Sequence, residues 1–204
     1  MIESFQKQVQ IKSIPAFSFD PRLRLRETDL NEVVRTVKSV LPQYVNGDID
    51  LTITLLEKNL KIMADMALMK EALTHLIKNA IDAMPDGGKF SLSTNQVNFE
   101  IESLLDGDNS VMGACAFIRL TDTGVGIDEK IKEKIFEPFF TTKTNGKGLG
   151  LPIAYRIIKQ HHGRIIIESQ MGQGTEVNIY LPLTKPKMVN MISIPLGASS
   201  GRIH

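Results

Sequence analysis

The apolar positions of this chain follow two periods that take turns along it. Val33, Val34, Val37, Val40 and Leu41 recur at helical spacing behind Asp29 and Asn31, either of which suits an N-cap, and Pro42 closes the segment. Ile49, Leu51, Ile53 and Leu55 then alternate with Asp50, Thr52 and Thr54, the period of a half-buried strand. Lys61-Ile62-Met63 predicts a second, short strand. A long helix is expected over residues 66 to 84, stopped by the turn sequence Pro85-Asp86-Gly87-Gly88. Strands follow over residues 89 to 98 and 114 to 121, with a loop rich in Asp and Gly at 106 to 110 between them. Leu149, Ile153, Ala154, Ile157 and Ile158 mark a last helix reaching His161, and strands at 164 to 168 and 176 to 181 flank a turn at Gly172-Gln173-Gly174.

Helices and strands are interspersed without strict βαβ alternation. The expected fold is therefore α/β: a two-layer sandwich of one mixed, mostly antiparallel sheet with about three helices on one face. Residues 1–28 hold Pro15, Pro21 and the basic cluster Arg22, Arg24 and Arg26 without a core period, and read as a connector. Residues 29–182 form the domain, and 183–204 read as a loosely ordered tail.

Composition narrows the function classes. Lys and Arg total 24 against 23 for Asp and Glu, so the basic excess of a nucleic-acid binder is missing and no nucleic-acid partner is expected. No apolar run approaches the ~18 residues of a membrane span, and the first residues lack a signal-peptide layout. A cytoplasmic location without direct membrane contact is expected, with the parent protein free to be tethered. The single cysteine, Cys115, sits in the apolar run Ala114 to Ile118 and reads as a buried core thiol.

Four segments carry candidate chemistry. On the long helix, at about 100° per residue, Glu71, His75, Lys78, Asn79 and Asp82 share one arc, opposite Leu73, Leu76, Ile77, Ala80, Ala83 and Met84. A solvated helix face is the commoner source of such a stripe. Asn79, however, is a mediocre helix former, and its amide oxygen is a hard ligand of the kind magnesium takes. Directly after a strand, Asp122-Thr123-Gly124-Val125-Gly126-Ile127 places a carboxylate where it can accept a hydrogen bond from an exocyclic amine such as that of adenine; a plain turn has the same composition. Gly146-Lys147-Gly148-Leu149-Gly150-Leu151 opens a helix and offers free N–H groups to phosphate, though a flexible loop would also read this way. It is neither a Walker A loop nor a dinucleotide fingerprint. Between them lies Ile135-Phe136-Glu137-Pro138-Phe139-Phe140-Thr141-Thr142-Lys143, whose phenylalanines suit either a plug into the core or the anchor of a lid. Lys143 and Lys147 are candidate phosphate cations.

In this order the four segments resemble the motifs of the GHKL ATPase superfamily (the Bergerat fold), and within it the catalytic domain of sensor histidine kinases. Residues 78–84 resemble the asparagine box, 122–127 and 146–151 the two glycine boxes, and 135–140 the phenylalanine box. That last box sets histidine kinases apart from the gyrase, mismatch-repair and heat-shock chaperone branches. Gly174-Thr175 resembles the late Gly-Thr on the adenine side. The resemblance implies ATP or ADP and magnesium as ligands. Asn79 would hold the metal, Asp122 the adenine amine, and Gly124, Gly126, Ile127 and Thr175 the pocket. Residues 128–147 would be a mobile ATP lid, and Gly148, Leu149, Gly150 and Leu151 the phosphate loop. Glu71 stands where the family often has a polar group near the metal or the attacking group. Two positions depart from the pattern: His75 replaces a second Asn, and Asp82 a phosphate-binding Lys.

The resemblance also implies a phosphoacceptor histidine on a dimerising hairpin, normally N-terminal to this module. The histidines present, His75, His161, His162 and His204, lie within or after the module, and none has that context. The expected partners are the dimerisation and histidine-phosphotransfer domain of the same kinase and a response-regulator receiver domain, with the isolated chain a monomer. Alternative readings are a GHKL protein-serine kinase, against which residues 135–140 argue, and a nucleotide-binding pseudokinase.

Overall fold

The computed structural model describes residues 23–45, 48–102, 110–144 and 146–184. In chain order its elements are β1 (Arg26–Asp29), α1 (Leu30–Lys38), β2 (Ile49–Thr54), β3 (Lys61–Ala64), α2 (Met66–Asp82), β4 (Gly88–Glu102), β5 (Ser110–Asp122), α3 (Gly150–Gln160), β6 (Arg164–Gln170) and β7 (Gly174–Pro182). Five strands form one sheet in the order β2-β4-β5-β7-β6, while β1 and β3 pair as a separate antiparallel ribbon. Within the sheet β2 and β4 run parallel and the remaining neighbours antiparallel. The mixed sheet with helices on one face is the architecture that the alternating periods predict.

Register explains the single layer of helices. Leu51 lies opposite Phe90 and Ile53 opposite Leu92. Ile118 lies opposite Ile179 and Leu120 opposite Val177. Side chains alternate across a strand, so these residues share a face, and they form one core with Leu73, Leu76 and Ile77 of α2 and Ile157 and Ile158 of α3.

The choice between Asp29 and Asn31 as the cap of α1 is decided by what else each can reach. Asp29 Oδ1 accepts the N–H of Asn31 at 3.0 Å and that of Leu60 at 3.1 Å. Asn31 is buried. It donates to the carbonyls of Leu56 and Lys58, at 3.0 Å each, and accepts the Thr94 hydroxyl at 2.7 Å. A buried amide with its bonds satisfied joins α1 to the loop after β2 and to the sheet.

Helix α2 starts as expected but ends two residues early. Asp65 caps it, accepting from Ala67 and Leu68, and also takes the Arg24 N–H at 3.1 Å. At the other end Ala83 is the C-cap, and its carbonyl accepts the N–H of Val125 at 3.0 Å. That tertiary bond draws the chain off the helix before Met84. His161, the C-cap of α3, is buried and ties the two helices together. Its Nε2 accepts the Asp65 N–H at 3.0 Å, so Nδ1 carries the proton facing the Ile157 carbonyl at 2.7 Å. The ring is thus neutral in the fold, and burial pushes its pKa below the ordinary value.

β1 begins inside the stretch that reads as connector, because Arg26, Glu27 and Thr28 pair with Ala64, Met63 and Ile62. At the far end Leu183 bridges Ile62 and the Thr184 N–H donates to the Lys61 carbonyl at 2.8 Å, so paired backbone runs past Pro182. The expectations for 1–22, 185–204 and the 103–109 loop lie outside the described residues. Among the described residues no helix is long and apolar enough to cross a membrane.

Candidate functional site

The site is built around the last turns of α2. Its first half is the carboxylate of Asp122, the final residue of β5, which pairs with Phe90 on one side and Thr175 on the other. Asp122 is only 5% exposed. Its Oδ1 accepts the N–H of Gly124 at 2.9 Å and that of Thr175 at 3.2 Å. Oδ2 makes no bond among the described residues and is left for a ligand. Burial pushes the Asp122 carboxyl above its usual range, against the pull of those two backbone donors.

The wall beside Asp122 is set by close backbone approach. A Cβ at Gly124 would stand 2.5 Å from the Ala83 carbonyl oxygen, so only glycine lets this turn rest on the end of α2. Gly174 has φ +91°, and a Cβ there would meet the Asp122 carbonyl oxygen at 2.0 Å. Gly126 continues the same turn against Gln170. Ile127 donates its N–H to Ser169 Oγ at 2.9 Å. Ser169 donates in turn to the Gly174 carbonyl at 2.8 Å, which leaves Thr175 Oγ1 as the donor in their 3.0 Å contact. Ser169 is a site residue that the sequence reading missed. It sits next to the end of β6, one residue past the expected strand and with no motif around it, and only the β6–β7 register places it beside Thr175.

A cavity of about 660 Å³ opens here, lined by Asp122, Ile127, Met171 and Thr175. Its remaining walls include Glu168 and Glu176, cross-strand partners on the sheet face turned away from the helices. Asn79 and Gly150 do not line it. Asp122 is the buried carboxylate at the edge of this groove.

The second half of the site faces the outer arc of α2. Asn79 and His75 are half-buried, while Glu71 and Asp82 are exposed. Glu71 Oε1 lies 3.8 Å from His75 Nε2, too far for a hydrogen bond. Gly150, at the start of α3, brings the phosphate-type loop over this arc: a Cβ there would be 3.3 Å from His75 Nδ1 and 3.8 Å from Asn79 Nδ2. Leu149 precedes the helix as its N-cap residue without a side-chain cap, and Leu151 is its second residue. The first N–H groups of α3 therefore lie beside Asn79, where the helix dipole favours an anion. The Gly148 carbonyl accepts the Phe139 N–H at 2.9 Å, which fastens the loop to the aromatic segment. Lys147 is exposed.

Two candidates are placed differently from their simplest reading. Lys143, read as a phosphate cation, has its ammonium 3.0 Å from Asn79 Oδ1 and 2.7 Å from Asp82 Oδ2. The three phenylalanines also divide. Phe136 is buried against Tyr155, with ring centroids 5.0 Å apart, and Phe140 packs partly on the core. Phe139 is 76% exposed and held at φ 69°. The segment is thus anchored at both ends and presents one ring outward.

The five-stranded mixed sheet with its helices on one face, and the buried Asp and glycine-rich turns gathered at one end of it, define an ATPase-type α/β sandwich. Residues 64–185 match the family model described as histidine kinase-, DNA gyrase B- and HSP90-like ATPase, and the chain belongs to that family. The chain is 37% identical over 174 residues to the sensor kinase CckA of Brucella abortus, covering 84% of this chain and 18% of that protein. It is 33% identical to sporulation kinase B of Bacillus subtilis, covering 78% and 34%. Among solved structures it matches the catalytic domain of the histidine kinase ThkA at TM-score 0.60 and 30% identity, over 79% of this chain and 97% of that one. ThkA has also been solved in complex with the response regulator protein TrrA; that chain matches at TM-score 0.57 and 28% identity, over 79% of this chain and 42% of the other. The chain is a catalytic domain of the histidine-kinase type, and it spans only 18% and 34% of the length of these curated kinases.

Proposed function

We propose that this chain binds Mg·ATP and donates the γ-phosphoryl group to a histidine on a separate dimerisation domain of a two-component sensor kinase. The observation that carries this reading is the buried Asp122, whose two backbone bonds both fall on Oδ1 and leave Oδ2 for the adenine amine. Thr175 and Ile127 close the base pocket around it.

The polar arc of α2 fits a magnesium ion. Asn79 Oδ1 and Asp82 Oδ2 are hard oxygens one helical turn apart, and both already hold a cationic ammonium. Among the described residues no group of three or more His, Cys, Asp or Glu forms a cage. That suits an ion that takes one or two protein oxygens and completes its shell with phosphate and water. Bound there, the metal would neutralise charge between the phosphates. The N–H groups of Gly150 and Leu151 hold the phosphates at the start of α3, and Lys147 adds a cation from the solvent side. Glu71 and His75 line the approach to the terminal phosphate, where His75 donates a hydrogen bond or orients water. Phosphoryl transfer needs positioning and charge neutralisation more than covalent help from the protein.

The acceptor imidazole comes from elsewhere. His161 has both ring nitrogens engaged in a buried position, His162 is half-buried beyond the C-cap of α3 at the opposite end of that helix from Gly150, His75 lies inside the end proposed for the phosphates, and His204 is outside the described residues. The receiver domain of a response regulator is the next acceptor, a role supported by the ThkA–TrrA complex. We place the reaction in the cytoplasm.

The test is a titration followed by reconstitution. ADP and ATP bind to the full chain with magnesium, and Asn79→Ala weakens that binding. Labelled ATP leaves no stoichiometric phosphohistidine on the chain alone but labels a separately made dimerisation domain added in trans. Binding without any transfer in trans would favour the pseudokinase reading.

A further inference from the structure

Lys143 stands in the place of a metal ion. Its ammonium bonds the amide oxygen of Asn79 at 3.0 Å and a carboxylate oxygen of Asp82 at 2.7 Å. These two oxygens come from positions i and i+3 of one helix, which lie one above the other on the same face. No other residue of the phosphate end contacts either oxygen among the described residues. Asp82 departs from the lysine expected at this place. A lysine there would add positive charge to α2 itself; the carboxylate instead makes the helix face a cation binder and draws the positive charge from the opposite segment, 61 residues along the chain.

We infer that Asn79 and Asp82 together form a two-oxygen divalent-cation site, and that Lys143 is a tethered competitor which the ion must displace. This deepens the nucleotide-binding reading above and rests on it. A divalent ion outcompetes an ammonium at the same oxygens because its charge is doubled and its contacts are shorter. The side chains of Asp82 and Lys143 are 51% and 42% exposed, so the lysine can leave without burying charge. Metal entry therefore frees Lys143 and with it the segment after Phe140. Binding of the ion and release of that segment become one event.

The experiment follows ADP binding to the full chain by calorimetry across a magnesium chloride titration, with EDTA as the metal-free arm. Lys143→Met lowers the magnesium concentration at half-saturation by about two- to fivefold, the scale of an exposed ion pair. ADP affinity in EDTA falls by no more than about twofold, the loss of one exposed charge near the site. Asp82→Asn moves the magnesium midpoint the other way, since the divalent ion loses more than the ammonium does. Without nucleotide or metal, Lys143→Met also speeds amide exchange over residues 141–144. A midpoint that rises or stays put in Lys143→Met overturns the competitor role, and ADP affinity lost in EDTA makes the lysine a plain phosphate cation instead. A midpoint unmoved by Asp82→Asn removes Asp82 from the site. Absence of ADP binding to the unaltered chain at any magnesium concentration defeats the nucleotide reading itself, an outcome separate from the other three.

Discussion

The two ends of the site solve opposite problems. At the end proposed for the base Asp122 is 5% exposed, held by two backbone N–H groups and hemmed by Gly124 and Gly174, where a single added carbon would collide with backbone. At the end proposed for the phosphates the groups stand on a partly exposed helix arc, Lys143 makes exchangeable ionic contacts, and a Cβ at Gly150 would meet only side chains, the His75 ring at 3.3 Å being the nearest. The base is flat and chemically constant, so rigid recognition serves it. The phosphates change charge and number during a reaction cycle, and the groups that meet them need freedom to regroup.

The largest expected effect falls on the rigid end. Gly174→Ala forces a Cβ against the Asp122 carbonyl at φ +91°. It should destabilise the fold by about 2–3 kcal/mol, read as a lower urea midpoint. The matching substitution at the other end, Gly150→Ala, should leave that midpoint nearly unchanged. If both behave alike, the contrast fails.

Asp122→Asn separates recognition from stability. Loss of the acceptor for the adenine amine should weaken ADP binding about ten- to a hundredfold, the worth of a hydrogen bond to a charged group. The same change should stabilise the unliganded fold at neutral pH. Burial holds the folded Asp122 carboxyl above its ordinary value of 3.8. The native state therefore keeps its proton longer than the unfolded chain, and stability is lost as pH rises through that window. An asparagine keeps the Oδ1 acceptor and removes that penalty.

Acid acts through His161. Its folded pKa lies below the ordinary 6.5 because the ring is buried. The unfolded chain takes up the proton first, so stability should fall as pH drops below about 6.5 towards the folded value. Urea midpoints at stepped pH read this slope, to which burial of His162 adds in the same sense, and His161→Gln should reduce it. The smallest effect belongs to Lys147→Ala. As an exposed cation it should weaken ADP binding no more than about fivefold, an effect that disappears at high salt.

The division between the ends also governs how far sequence reading carries. The fold class, the asparagine on α2 and the aspartate ending β5 are local: each follows from a period or a motif within one element. The β4–β5 pairing runs past its expected spans, through Phe99↔Gly113 to Glu102↔Ser110, because cross-strand backbone partners sustain it beyond the last clear side-chain period. Ser169 went unread because it matters only across the β6–β7 register. The partner of Lys143 went unread because a glycine-rich segment carries no period that says which way it folds back.

The tie between Arg24 and Asp65 gives the chain a mechanical property. Asp65 receives the backbone of the entering chain and at the same time caps α2. That helix is a stiff strut of 17 residues, about 25 Å long at 1.5 Å per residue. Its far end carries Asn79 and Asp82. A shift of the entering chain at Arg24 is therefore felt first by the carboxylate that caps the foot of this strut.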